Sequence, residues 1–246
     1  MEMEQPQAVN VMSEVTTLIR SWDEENNQQN YDPVPTLTRL AEIIEIETEH
    51  YYKTDPDPFD ERHPSRTDPQ CNLGQILKAL FKKDVFMSSL VSDYLRETYY
   101  SRLGIVGHDV DQLNIAACRL MLDVLPGLET TVVFQPDSDG LVNRLLKWAT
   151  NSIEPLQTYA TGLLAAAMEI PEIAGRFREQ NAKMVPLMLN RLKRLQANSD
   201  FMQNVRHFGH ILIKSPRIQP KERKSKDQSF HVFLIIFTNL KNIYKD

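Results

Sequence analysis

Leu113-Asn-Ile-Ala-Ala-Cys-Arg-Leu-Met-Leu-Asp-Val-Leu125 and Leu156-Gln-Thr-Tyr-Ala-Thr-Gly-Leu-Leu-Ala-Ala-Ala-Met168 are two copies of one pattern, 43 residues apart. Leu113, Ala116, Ala117, Leu120, Met121, Val124 and Leu125 in the first copy match Leu156, Tyr159, Ala160, Leu163, Leu164, Ala167 and Met168 in the second. Each set falls at i, i+3, i+4, i+7, i+8, i+11 and i+12, which puts all its apolar side chains on one helix face. A weaker third copy stands 40 residues before the first, at Leu73, Ile76, Leu77, Leu80 and Phe81, and Asp84 breaks its match. A partner helix repeats as well: Leu141, Val142, Leu145, Leu146 and Ala149 recur 43 residues later as Met184, Val185, Met188, Leu189 and Leu192. Recurrence of two successive helices at one spacing is a stronger signal than recurrence of one. Periods of about 40 to 47 residues belong to armadillo and HEAT arrays, whose stacked units share a continuous core. The pattern predicts an all-α, armadillo-like helical-repeat solenoid, and arrays of that kind usually bind rather than catalyse.

The flanking sequence divides around this array. Residues 8–53 read as N-terminal helices. One has Val11, Val15, Leu18, Ile19 and Trp22 on a single face, and polar residues from Asp23 to Gln29 follow it as a loop. A second follows Pro35, with Leu37, Leu40, Ala41, Ile44 and Tyr51 facing inward and Glu42, Glu45, Glu47 and Glu49 on its other side. That acidic stripe is either a surface for a basic partner or a solvated helix face. Residues 54–70 form a connector stiffened by Pro56, Pro58, Pro64 and Pro69. Its Asp55, Asp57, Asp60 and Glu61 invite a calcium reading, but the sixth and twelfth positions counted from Asp55 are Asp60 and Arg66. An EF-hand needs glycine and a bidentate glutamate there, so the motif fails. Residues 71–196 hold the repeats. Tyr99 to Asp111 contain Gly104 and Gly107 and read as a loop, and Pro126-Gly127 ends the helix begun at Leu113. Residues 197–246 form a basic tail with little periodicity, read as linker-like.

Charge follows the same division. Residues 1–100 carry 9 basic and 19 acidic groups, 101–197 are balanced, and 198–246 carry 9 basic and 4 acidic groups. A neutral array lacks the basic face that nucleic-acid binding calls for. Lys221 to Lys226 read equally well as a nuclear-localisation or nucleic-acid patch and as a solvated linker. The cysteines, Cys71 and Cys118, form no CxxC pair, so neither a structural zinc site nor a disulfide framework is expected. Cys118 lies among core positions and reads as a small buried hydrophobe. The polar, acidic N-terminus is no secretory signal, and the longest apolar run, Phe230 to Phe237, is far short of a membrane span. The expectation is a soluble intracellular chain without a membrane partner.

A search for chemistry yields no catalytic, cofactor-binding or metal-binding residue. No phosphate-cradling glycine loop, GxSxG elbow, HExxH pair or kinase motif set occurs. Among the histidines only His207 and His210 have helical ligand spacing, and no carboxylate or thiol is arranged around them.

Three strings carry a family resemblance: Asp55-Pro-Asp-Pro-Phe-Asp-Glu-Arg-His-Pro64, Asn114-Ile-Ala-Ala-Cys-Arg-Leu-Met-Leu-Asp-Val-Leu-Pro-Gly-Leu-Glu-Thr130, and Thr158-Tyr-Ala-Thr-Gly-Leu-Leu-Ala-Ala-Ala-Met-Glu169. They resemble the N-terminal portion of the Vpr-binding protein (Mahjong) family, substrate receptors of the cullin-4 RING ubiquitin ligase, over residues 10 to 196. The resemblance implies an armadillo-type solenoid, followed in the family by a LisH motif, a WD40 propeller that binds the ligase adaptor, and an acidic tail. It also implies a non-catalytic role in protein ubiquitination, cullin-4 ligase components and substrates as partners, and residence in nucleus and cytoplasm. None of the family's later regions is found in this sequence, and residues 198–246 resemble nothing in the family. A truncated fragment with an aberrant tail and an uncapped, self-associating C-terminal end is therefore expected. The alternatives are a generic armadillo adaptor unconnected to ubiquitination and, by a kinase-like activity linked to the family, an atypical protein kinase.

Overall fold

The computed structural model describes residues 7–26, 28, 30–54, 70–134, 140–167 and 170–175. Among them every regular element is helical, so the all-α expectation holds at that level. The connector at 55–69, the predicted repeat helix at Met184–Leu192 and the basic tail lie outside the described residues. The chain divides into two units, Met1–Gly127 and Leu128–Asp246.

In the first unit α1 (Gln7–Glu25) and α2 (Val34–Thr54) are followed by α3 (Asn72–Phe81), α4 (Asp84–Ser92), α5 (Tyr99–Leu103) and α6 (Val110–Val124). Pro35 lies in the first turn of α2, where its missing N–H costs no helical bond. Helix α2 packs against α1, α3 and α6, and α6 packs against α2 and α4. These two are the central helices, and each buries more than a single stripe. Leu37, Leu40, Ala41 and Ile44 are fully buried as their spacing predicts, and Ile43, Glu47 and Thr48 join them. On α6 the whole predicted stripe is buried, together with Asn114, Cys118, Leu122 and Asp123. Cys118 is withdrawn from solvent as expected, and burial pushes its thiol pKa up. Helix α6 passes at Leu125 into the 3-10 turn Leu125–Gly127, which is where Pro126-Gly127 was expected to end it.

Caps fix where the helices begin. The Cys71 thiol accepts from Gly74 N at 3.2 Å and starts α3, and the Asp109 carboxylate accepts from Asp111 N at 2.9 Å and starts α6. Two sequence readings are corrected here. Helix α1 runs on through Asp23 to Glu25, because Lys83 holds Asp23 in an ion pair of 2.6 Å and the polar turn stays helical. Tyr99–Leu103, read as loop, is a short helix whose two tyrosines are buried.

The second unit contains α7 (Thr130–Val133), α8 (Leu141–Asn151) and α9 (Leu156–Ala167). The β-branched run at Thr130–Val133 is one helical turn. Helix α8 pairs with α9, and α7 touches α9. Leu156, Ala160, Leu163, Leu164 and Ala167 are buried, so the second copy of the stripe faces a core as the first does. Of the repeating face of α8, Leu141, Leu145 and Ala149 are buried and Val142 and Leu146 are half-buried, and Trp148 adds to the buried side. Gln157 Nε2 donates to Ala149 O at 3.1 Å and ties the start of α9 to the end of α8. Gly162 is buried in α9.

Candidate functional site

Helices α2 and α6 are joined by a polar cluster inside the first unit. Arg119 on α6 grips Glu45 on α2 with both arms, Nε to Oε1 at 2.7 Å and Nη2 to Oε2 at 2.6 Å, the fork geometry that favours arginine over lysine. One turn on, Asp123 is buried and its Oδ2 has no hydrogen-bond partner. Burial raises the Asp123 pKa well above the usual carboxylate range; the Glu45 charge raises it further and Arg119 opposes both. The cluster therefore combines a buried acid whose protonated form is favoured with a charge-balanced pair. It joins α2 and α6 through the Arg119–Glu45 pair.

Glu42 and Glu49 of the acidic stripe stay on the surface, 41% and 49% exposed, as a solvated face would, while Glu45 is drawn into a pair between helices. Glu42 is 3.0 Å from Arg39, Glu45 is held by Arg119, and Glu49 is 3.0 Å from Lys53. Glu47 is buried on another side of the helix, 3.6 Å from His50. Arg39 also reaches Glu14 on α1 at 2.6 Å, and that hydrogen bond holds Glu14 below its ordinary pKa. Of these pairs Arg39–Glu14 and Arg119–Glu45 bind helix to helix, and the other three lie within α2.

A chain of aromatic rings leads to the surface feature that stands out. Trp22 packs edge-on to Phe86 and donates Nε1–H to Tyr94 OH at 2.8 Å. Tyr94, Tyr99 and Tyr100 meet edge to face at 5.2 and 5.1 Å, and Tyr100 stacks on His108 at 5.1 Å. Burial and the neighbouring Asp32 carboxylate push the Tyr100 phenol up, so it keeps its proton and donates it to Asp32 Oδ1 at 2.7 Å. Asp32 also accepts from Val34 N at 3.1 Å and lies 3.4 Å from His108 Nδ1. The α5–α6 loop is thereby pinned to the α1–α2 loop.

Above this pin α5 ends in a Schellman turn. Gly104 is left-handed at φ 69°, Gly104 N donates to Ser101 O at 3.2 Å, and Ile105 N donates to Tyr100 O at 2.9 Å. Gly107, at φ 92°, turns the chain back toward α6. The turn presents Leu103, just before Gly104, at 57% exposure and Val106, just before Gly107, at 92%. The sequence reading passed over this feature; its one signal is the run Leu103-Gly-Ile-Val-Gly107, apolar, with two glycines and without a periodic partner.

Among the described residues no group of three or more His, Cys, Asp and Glu is arranged to hold a metal ion. His207, His210 and Lys221–Lys226 lie outside those residues. No helix among the described residues is long and apolar enough to cross a membrane.

The family model described as the DCAF1 N-terminal domain matches residues 6–127, ending where the first structural unit ends. The model described as the Mahjong helical domain matches residues 151–233. That match corrects the reading of the tail: the family relation continues past residue 196 into the basic segment. The chain is 53% identical over 187 residues, 76% of its length, to "Protein mahjong" of Drosophila melanogaster. It is 42% identical over 191 residues, 77% of its length, to "DDB1- and CUL4-associated factor homolog 1" of Caenorhabditis elegans. It spans 12% and 11% of those relatives' own lengths. The chain belongs to the Mahjong family and corresponds to its N-terminal, helical portion.

Proposed function

We propose that this chain is a non-catalytic scaffold region of a cullin-4 ubiquitin-ligase substrate receptor and acts in protein ubiquitination by holding protein partners. The observation that carries this reading is the relation to a protein named for association with DDB1 and CUL4. The armadillo-like solenoid belongs to the proposal: the 43-residue spacing supports it, as does burial of the first apolar stripe and of five of the seven positions in the second, Tyr159 being half-buried and Met168 outside the described residues. In this reading residues 8–53 cap the array, 54–70 connect, 71–196 form the repeats and 197–246 follow as a basic tail. Ubiquitin transfer belongs to an associated E2 and RING subunit, and the protein resides in nucleus and cytoplasm.

The test is affinity purification of the longest product carrying this chain, scored for DDB1 and cullin-4. Recovery of both well above a mock purification is expected. Recovery of neither would leave a generic helical adaptor as the better reading.

A further inference from the structure

We propose that the Leu103–Val106 turn is a docking knob for a protein pocket with an apolar floor and Lys or Arg at its rim. This rests on the scaffold reading and assigns it a contact surface. Exposed single apolar residues are ordinary on protein surfaces, but here two project from a turn whose backbone is fixed. The Schellman bonds, two left-handed glycines, the His108–Tyr100 stack and the Asp109 cap hold it from both sides. A knob already in its bound shape spends little ordering entropy on binding.

Charge complementarity specifies the occupant. Asp109 and Asp111 are exposed just beyond the knob. Arg102, just before it, is 3.0 Å from Asp93, and His108 faces Asp32 and Tyr100. The knob is thus followed by two exposed carboxylates, while the one cation beside it, Arg102, is already paired with Asp93. Such carboxylates repel anionic lipid and nucleic acid and favour a cationic border on a protein pocket.

The experiment uses the full chain, 15N-labelled, with four probes. These are an amphipathic Leu/Lys helical peptide, its Leu/Glu counterpart, phosphatidylcholine–phosphatidylserine vesicles, and the chain itself at rising concentration. The expected result is that the Leu/Lys peptide alone perturbs the amides from Leu103 to Asp111, with affinity that falls as salt rises. Val106→Asp should weaken that peptide about tenfold or more, since it removes an aliphatic contact from the interface. Asp109→Asn with Asp111→Asn should flatten the salt dependence while keeping an N-cap on α6.

Val106→Asp separates the explanations because it adds negative charge. If attraction is purely electrostatic the variant binds more tightly, and the proposal is overturned. Equal loss from Val85→Asp, an exposed apolar position on α4, would also overturn it, as would uptake of the loop by vesicles or by a second copy. Val106 is almost wholly exposed, so its variant should melt with the parent. Failure of this binding leaves recovery of DDB1 and cullin-4 untouched, so the two readings fall separately.

Discussion

Replacing Asp123 with asparagine tests whether the interior of the first unit holds a neutral acid. Asp123 is buried on α6, its Oδ2 lacks a hydrogen-bond partner, and the Glu45 charge adds to the burial that raises its pKa. The folded protein therefore keeps a proton that the unfolded chain releases near pH ~3.9. Because the native state binds more protons over this interval, stability is complete below the unfolded pKa and falls as pH rises toward the folded one. Within that window the loss is about 1.4 kcal/mol per pH unit. Asparagine has nearly the same shape and no proton to release. At pH values near or below ~4 the variant should match the parent to within about 1 kcal/mol, since each then buries an unpaired donor of similar cost. Above that, the variant should gain on the parent by the same ~1.4 kcal/mol per unit. Urea unfolding at intervals from acid to neutral pH, with the slope held common, reads the difference directly. A difference that does not change with pH would mean that Asp123 is ionised in the native state, and the account of this cluster would be wrong. Glu45→Gln supplies a control: it removes a charge that raises Asp123 and releases Arg119 to pair with it, so the pH slope should shrink.

Tyr94→Phe leaves the Trp22 N–H buried without its acceptor and should cost about 1–3 kcal/mol by denaturant unfolding. Adding Trp22→Phe should cost less than the two single losses summed. Gly104→Ala meets no atom within 4 Å of the new Cβ but must hold φ 69°, so a loss of about 1–2 kcal/mol is expected from backbone strain alone. Mg-ATP should leave the melting temperature unchanged, and a saturable rise would revive the kinase reading.

What could be read before the coordinates was whatever repeats locally. Leu113 to Leu125 announce their helix because apolar residues recur at its period, and Pro126-Gly127 announce its end. The stripe marks only one face, however. Asn114, Cys118 and Asp123 are buried because helices meet α6 from more than one direction, and no period within α6 encodes its neighbours. Glu45 and Arg119 are 74 positions apart, so nothing in the local pattern singles out Glu45, among the glutamates beside it, as half of an ion pair between helices. Helix α5 was hidden because five residues are too few to display a period. The Leu103–Val106 turn was hidden because an apolar run with two glycines has no look of its own until its exposure is known.

The central claim is that this chain serves a cullin-4 substrate receptor by holding protein partners, and quantitative affinity purification scored for DDB1 and cullin-4 tests it most directly. The account predicts recovery of both well above a mock purification. Recovery of neither would contradict it.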